Sequence, residues 1–85
     1  MNYRTFITDA ARECLARLPV SRRKKVVGRI DRLVAGDFAG SQDLPVANAG
    51  IRLKRARVTP TLRIVYAVTE AKRLVAVVRL ELAHA

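Results

Sequence analysis

The spacing of apolar positions divides the chain into a helical half and a strand half. Ala11, Cys14, Leu15 and Leu18 recur three and four residues apart, which predicts a short amphipathic helix. Thr8 or Asp9 opens it as N-cap, and either choice leaves an acid in or near the first turn, where the helix dipole favours it. Pro19 closes it. Ser21 is the next cap candidate. Val26, Val27, Ile30, Leu33 and Val34 then predict a second helix from about Arg22 to Ala35, with Gly36 as its stop. Gly28 inside that helix costs propensity and marks either a close crossing or nothing. Ahead of both helices, Tyr3 to Ile7 alternates as a short strand.

Past Gly50 the period becomes two. Ile51 to Val58 alternates, but its pattern shifts after Arg55, so one continuous apolar face needs a bulge near Lys54 or Arg55. Thr59-Pro60-Thr61 turns the chain into the most apolar stretch, Leu62 to Leu80, which reads as two strands and a turn. Leu62, Ile64, Tyr66 and Val68 share one face, against Arg63, Val65 and Ala67. In the next strand Leu74, Ala76, Val78 and Leu80 oppose Arg73, Val75, Val77 and Arg79. A three-residue loop, Glu70 to Lys72, joins the two richer apolar faces and sets Arg63 directly opposite Arg79. Two arginines side by side repel, so that register calls for an anionic partner. Gly36 to Gly50 shows no period and reads as an irregular connection, with a turn at Asn48-Ala49-Gly50. The expected order is strand, helix, helix, strand, strand, strand. It makes one α+β domain over residues 1–85, with the helices on one sheet face and the other face open and basic.

Charge sharpens that picture. Seventeen Lys and Arg against seven Asp and Glu give a net charge of +10 in 85 residues. So basic a chain points to an acidic partner: nucleic acid, an anionic membrane surface or an acidic protein. The second helix carries Arg22, Arg23, Lys24, Lys25, Arg29 and Arg32 off its apolar stripe, with Asp31 the only acid. That face is either solvated or a ridge for phosphate or an acidic partner. Arg52, Lys54, Arg55 and Arg57, with Arg63 and Arg79, would form a patch centred on the sheet.

Other chemistry is excluded. One Cys and one His leave structural zinc without ligands, and Cys14 reads as a small hydrophobe on the first helix. The carboxylates are scattered, and no glycine loop cradles a phosphate, so no metal or cofactor is expected. No stretch has the length of a membrane span, and the opening residues lack the apolar run of a signal peptide. A cytoplasmic protein with no membrane partner is the expectation.

Taken in order, YRTFITDAARECLARLP, RRKKVVGRIDRLVAGDF, IRLKRARV, LRIVYAV and RLVAVVRLELAH resemble the RelE/ParE superfamily of toxins from type II toxin–antitoxin pairs. Leu62-Arg63-Ile64-Val65-Tyr66 is the most diagnostic piece. The resemblance implies two N-terminal helices packed on a small, twisted, mainly antiparallel sheet, in the order β-α-α-β-β-β. It implies a cognate antitoxin, acidic where it wraps the toxin. The short first helix, closed by Pro19, is closer to the RelE-like branch. That branch cuts messenger RNA on the ribosome, by metal-independent attack of the 2'-hydroxyl. The ParE-like branch inhibits DNA gyrase instead, and a catalytically degenerate, binding-only relative is a third reading. The family's glycine and arginine around the C-terminal histidine are Ala83 and Ala85 here, which motivates that third reading.

By position, Arg63 matches the family's arginine before the hydrophobic pair, and Arg79 is the second candidate for holding phosphate oxygens. Lys54 is a candidate to orient phosphate or act as a base, and His84 matches the C-terminal histidine suited to proton transfer. Arg52, Arg55, Arg57, Lys24 and Lys25 are the expected nucleic-acid contacts, and Tyr66 is mainly structural.

Overall fold

The computed structural model describes residues 2–46 and 50–82. The elements are β1 (Arg4–Ile7), α1 (Asp9–Arg17), α2 (Val20–Val34), β2 (Gln42–Leu44), β3 (Arg52–Thr59), β4 (Leu62–Thr69) and β5 (Leu74–Leu82). The strands form one sheet in the order β1-β5-β4-β3-β2. Among the described residues, only the β1–β5 pair is parallel. The expected α+β arrangement is therefore present, with β2 added at one edge inside the segment expected to be irregular. His84 and most of the Asn48-Ala49-Gly50 turn lie outside the described residues.

The helices begin and end for local reasons. Thr8 caps α1, its hydroxyl oxygen accepting from the Ala11 amide at 3.2 Å. The same hydroxyl donates to the Val78 carbonyl at 2.5 Å and so ties the helix to β5. α2 starts at Val20 with Pro19 as its N-cap, so Ser21 sits inside the first turn instead of capping it. Proline suits this start because its fixed φ and missing N–H cost a helix N-terminus little. Gly36 ends α2 with φ +92, a left-handed conformation that glycine adopts without strain.

Ala11, Val26, Ile30 and Leu33 from the helices pack with Ala56, Leu62, Ile64, Tyr66, Val68, Val75 and Val77 from the sheet. The core thus lies on one sheet face. Val27, expected on the apolar stripe of α2, stays 45% exposed. Arg29, expected on the polar face, is instead buried at 8% exposure. Its guanidinium donates to the carbonyls of Asp37 at 3.2 Å and Ala39 at 3.1 Å, closing the loop after α2. A buried cation satisfied by backbone oxygens is tolerable where an unpaired one would not be.

Strand register differs from the expectation in three places. Thr69 pairs with Leu74, so the β4–β5 loop has four residues, Glu70 to Arg73, and Arg73 takes a φ of 50. The register then shifts between Val65 and Tyr66, because Tyr66 pairs with Val77 and Val65 with Arg79. Val78 is the extra residue of a bulge. It moves the apolar face of β5 from Val75 and Val77 onto Leu80, and with the longer loop it sets Arg63 opposite Glu81, not Arg79. In β3 no bulge occurs at Lys54 or Arg55. Arg52 through Arg57 pair regularly with Val68 through Arg63, and the shift falls between Arg57 and Thr59. Two arginines do face each other across the sheet, but they are Arg57 and Arg63.

Candidate nucleic-acid interface

The sheet face away from the helices carries the basic cluster. Alternation assigns Leu53, Arg55 and Arg57 of β3, Arg63, Val65 and Ala67 of β4, and Arg79 and Glu81 of β5 to this face. Val65 is fully buried although it lies outside the main core. Its cross-strand neighbours are Arg55 and Arg79, whose aliphatic stems are suited to cover it. The arginines are thus anchored on regular strands instead of a loop.

Their charges are not equally engaged. Arg55 Nε donates to Glu81 Oε1 at 2.8 Å, and Arg79 bridges to Glu81 Oε2 at 3.3 Å. The bonds from Arg55, and then those from Arg79, hold the Glu81 carboxyl below its usual pKa. Among the described residues, the guanidinium groups of Arg57 and Arg63 have no hydrogen-bond or ion-pair partner. They line a cleft of ≈ 430 Å³ together with Arg55, Gly40 and Gln42. Arg57 also borders a second groove, between β3 and α2, with Lys25, Arg29 and Arg32. Cationic surface therefore runs from the open face around the sheet edge onto α2. Such an array of guanidinium forks suits the oxygens of a polyanion.

The other candidates lie elsewhere. Lys54 pairs with buried Tyr66 on the helix side of the sheet, and its ammonium bonds Asp43 of β2. That bond is the main reason the Asp43 carboxyl titrates below its usual range. Arg52 shares the helix side, where it forms an ion pair with Glu70 and lies over the Phe38 ring. Glu70 also accepts from the Tyr3 hydroxyl at 2.9 Å, which raises the Tyr3 pKa. Lys24 faces a groove on the outer side of α2, separate from the cleft. Tyr66 is structural as expected: it is buried and shares a 2.6 Å hydrogen bond with Ser41.

Gln42, Gly40 and Glu81 are the site residues that the sequence reading passed over. Gln42 faces Arg55 only because β2 pairs with β3, and Glu81 joins the arginines only because of the bulge. The alternation of β4 did mark Arg63 as facing away from the core. No group of three or more potential metal ligands occurs among the described residues. Among the same residues, no helix is long and apolar enough to cross a membrane.

A parallel edge strand, a two-helix layer and an antiparallel run of strands form a fold shared with solved RelE and YoeB/ParE toxin structures. No protein-family model and no curated protein matches the sequence. Among solved structures, RelE in the archaeal RelE–RelB complex from Pyrococcus horikoshii is similar with a TM-score of 0.81 at 22% identity, covering 96% of each chain. The intact Escherichia coli RelBE toxin–antitoxin complex gives 0.70 at 17% identity, over 98% of this chain and 99% of that one. The YoeB/ParE toxin from Agrobacterium tumefaciens gives 0.72 at 20% identity, over 95% and 99%. At these identities the likeness establishes a shared fold.

Proposed function

We propose that the chain is the toxin of a type II toxin–antitoxin pair and that its open face cuts messenger RNA on the ribosome. The observation that carries this reading is the Arg57–Arg63 pair, set opposite on adjacent strands beside Arg55 and unpartnered among the described residues. Like charges held face to face are unfavourable until an anion lies between them. Two fold neighbours are toxins in complex with antitoxins, which supports an antitoxin as this chain's partner.

Cleavage through the 2'-hydroxyl needs its proton removed, the phosphate's growing charge stabilised and the leaving oxygen protonated. Arg57 and Arg63 grip the scissile phosphate, and Arg55 completes the cleft wall. Rigid donors aimed at a developing charge stabilise a transition state without reorganising. Arg79, tied to Glu81, contacts the flanking backbone. Lys25 and Arg32 extend the phosphate track along the second groove. Lys54 serves Asp43 and lies outside the cleft, which leaves His84, two residues past β5 in sequence, as the candidate for proton transfer.

Primer extension on mRNA in a reconstituted translation reaction tests this, with and without ribosomes. Cuts that require ribosomes and vanish with Arg63→Ala are expected. An intact message with the wild type would sink the nuclease reading. Loss of supercoiling in a gyrase assay would then select the gyrase inhibitor, and no effect there would leave a binding-only relative.

A further inference from the structure

The open face of the sheet carries more than arginines. Register sets Phe6 of β1 beside Ala76 of β5, and Ala76 opposite Ala67 of β4. Ala67 in turn lies opposite Leu53 of β3, and Leu53 opposite Leu44 of β2. Paired residues point to the same side of a sheet, so these five form one apolar row across all five strands. Their sequence neighbours Val68, Val75 and Val77 are in the core, and alternation puts the row on the opposite face. Neither the core nor the arginine cleft uses this row.

Phe6 is the member that calls for a ligand. It is 56% exposed, although an aromatic ring gains much from burial. Tyr3 and Ile7, which alternate with it, pack against the core, so β1 is seated and Phe6 is turned outward by its position in the strand. Ala76 and Ala67 form a low floor beside it, where a planar group can lie against the ring without meeting a taller side chain.

The flanks of the row are cationic. Two residues along the strands stand Arg79 and Arg55, with Val65 between them, and beyond these stand Arg63 and Arg57. Arg4 shares the face on the other side of Phe6. Glu81 is the sole acid among the described strand residues of this face. From Phe6 to Arg63 is two strand spacings across and four residues along, roughly 16 Å. The complementary ligand therefore joins flat apolar faces to repeated negative charge, as a single-stranded nucleic acid does. Sheets that bind single-stranded RNA stack bases on exposed aromatic rings while basic side chains follow the backbone. A protein helix, about 10 Å wide, exceeds the roughly 7 Å between rows and would press apolar side chains onto Arg55 and Arg79. A second copy of this chain would bring a net charge of +10 against the same cations.

We infer that Phe6, with the alanine floor beside it, is a base-stacking subsite for single-stranded RNA. It holds a base several nucleotides from the phosphate gripped by Arg57 and Arg63. The inference deepens the RNA reading of the open face and rests on it, but it needs binding only, not cleavage. Stacking tolerates every base, so the subsite fixes the path of the strand across the sheet, not its sequence.

The test titrates the full chain with a labelled 2'-O-methyl RNA octamer, which 2'-hydroxyl attack cannot cut, read by fluorescence anisotropy. Its control is an octamer with the same backbone and abasic positions throughout. The wild type is expected to bind the base-bearing strand at least about fivefold more tightly than the abasic one. Phe6→Ala should remove that advantage and leave both the abasic affinity and the salt slope unchanged. Phe6→Trp should keep the advantage, and Phe6→Leu, apolar but without a ring, should lose it. Arg57→Ala with Arg63→Ala should instead weaken both strands. Equal binding of the two strands by the wild type, binding of neither, or a Phe6→Leu chain that binds as the wild type does overturns the inference. So does a Phe6→Ala chain that weakens both strands alike, or concentration-dependent dimerisation in sedimentation that Phe6→Ala abolishes. Failure of mRNA cleavage with the base advantage intact would sink the nuclease reading and leave the subsite standing. Cleavage without a base advantage would do the reverse.

Discussion

Both faces of the sheet carry cations, and they treat them oppositely. On the helix side, Lys54 is matched by Asp43 and Arg52 by Glu70. On the open side, Arg55 and Arg79 share the single carboxylate of Glu81, and Arg57 and Arg63 face each other. Both sets draw on one strand, β3, whose alternate residues point to opposite sides. The helix side must exclude water from a core, and unpaired charge there would be costly. The open side has no such constraint, so excess positive charge collects where a ligand can reach it.

Substitutions should separate the faces. Ile64→Ala, fully buried on the helix side, is expected to lower unfolding free energy by about 2–5 kcal/mol in urea titrations. Arg57→Ala with Arg63→Ala should change stability by less than about 0.5 kcal/mol while cutting mRNA cleavage by roughly 10²–10³. The same pair of changes should flatten the salt dependence of binding to single-stranded RNA, by about 0.7 in log–log slope for each phosphate that is no longer neutralised. A large stability loss there would mean that the arginines are structural. Thr8→Ala removes an N-cap and a bond to the bulge, and should cost about 1 kcal/mol with little change in RNA affinity.

The smallest effect concerns acid. Glu81, Asp43 and Asp37 all titrate below the usual carboxylate range in the folded chain, through Arg55, Lys54 and the Ala39 amide respectively. The folded state therefore binds their protons more weakly than the unfolded state does. Their stabilisation is present above about pH 4, the unfolded carboxylate range, and fades as pH falls through the lower folded values. Urea midpoints measured between pH 7 and pH 2 should drop over that acid window, less steeply for Glu81→Gln. Glu81→Gln should also tighten RNA binding about two- to five-fold, by releasing Arg55 and Arg79.

The helices were legible because their cues are local. Thr8, Pro19 and Gly36 act within a turn or two of themselves, and three- to four-residue spacing found the buried Val26, Ile30 and Leu33. The buried face of β4 was legible for the same reason. Register was not, because it depends on strands far apart in sequence. The bulge at Val78 leaves no mark among Val75, Val77 and Leu80, yet together with the four-residue loop it puts Glu81 in place of Arg79 opposite Arg63. β2 escaped notice because three residues, two of them polar, carry no periodic signal. Arg29 looked like its basic neighbours, since the carbonyls that satisfy it belong to the following loop. Lys54 and Arg55 could not be sorted until β3 had a partner.

The parallel pairing of β1 with β5 also sets a timetable. Thr8 bonds Val78 across 70 positions of sequence, and Arg4 through Ile7 find their places only beside Leu74 through Val77. At roughly 5–20 residues per second, the start of the chain waits about 4–14 s of synthesis before its partner strand exists. Arg63 emerges well before the Glu81 that faces it. A half-made chain therefore lacks both the parallel edge of the sheet and the carboxylate that engages Arg55 and Arg79, and both arrive only with β5.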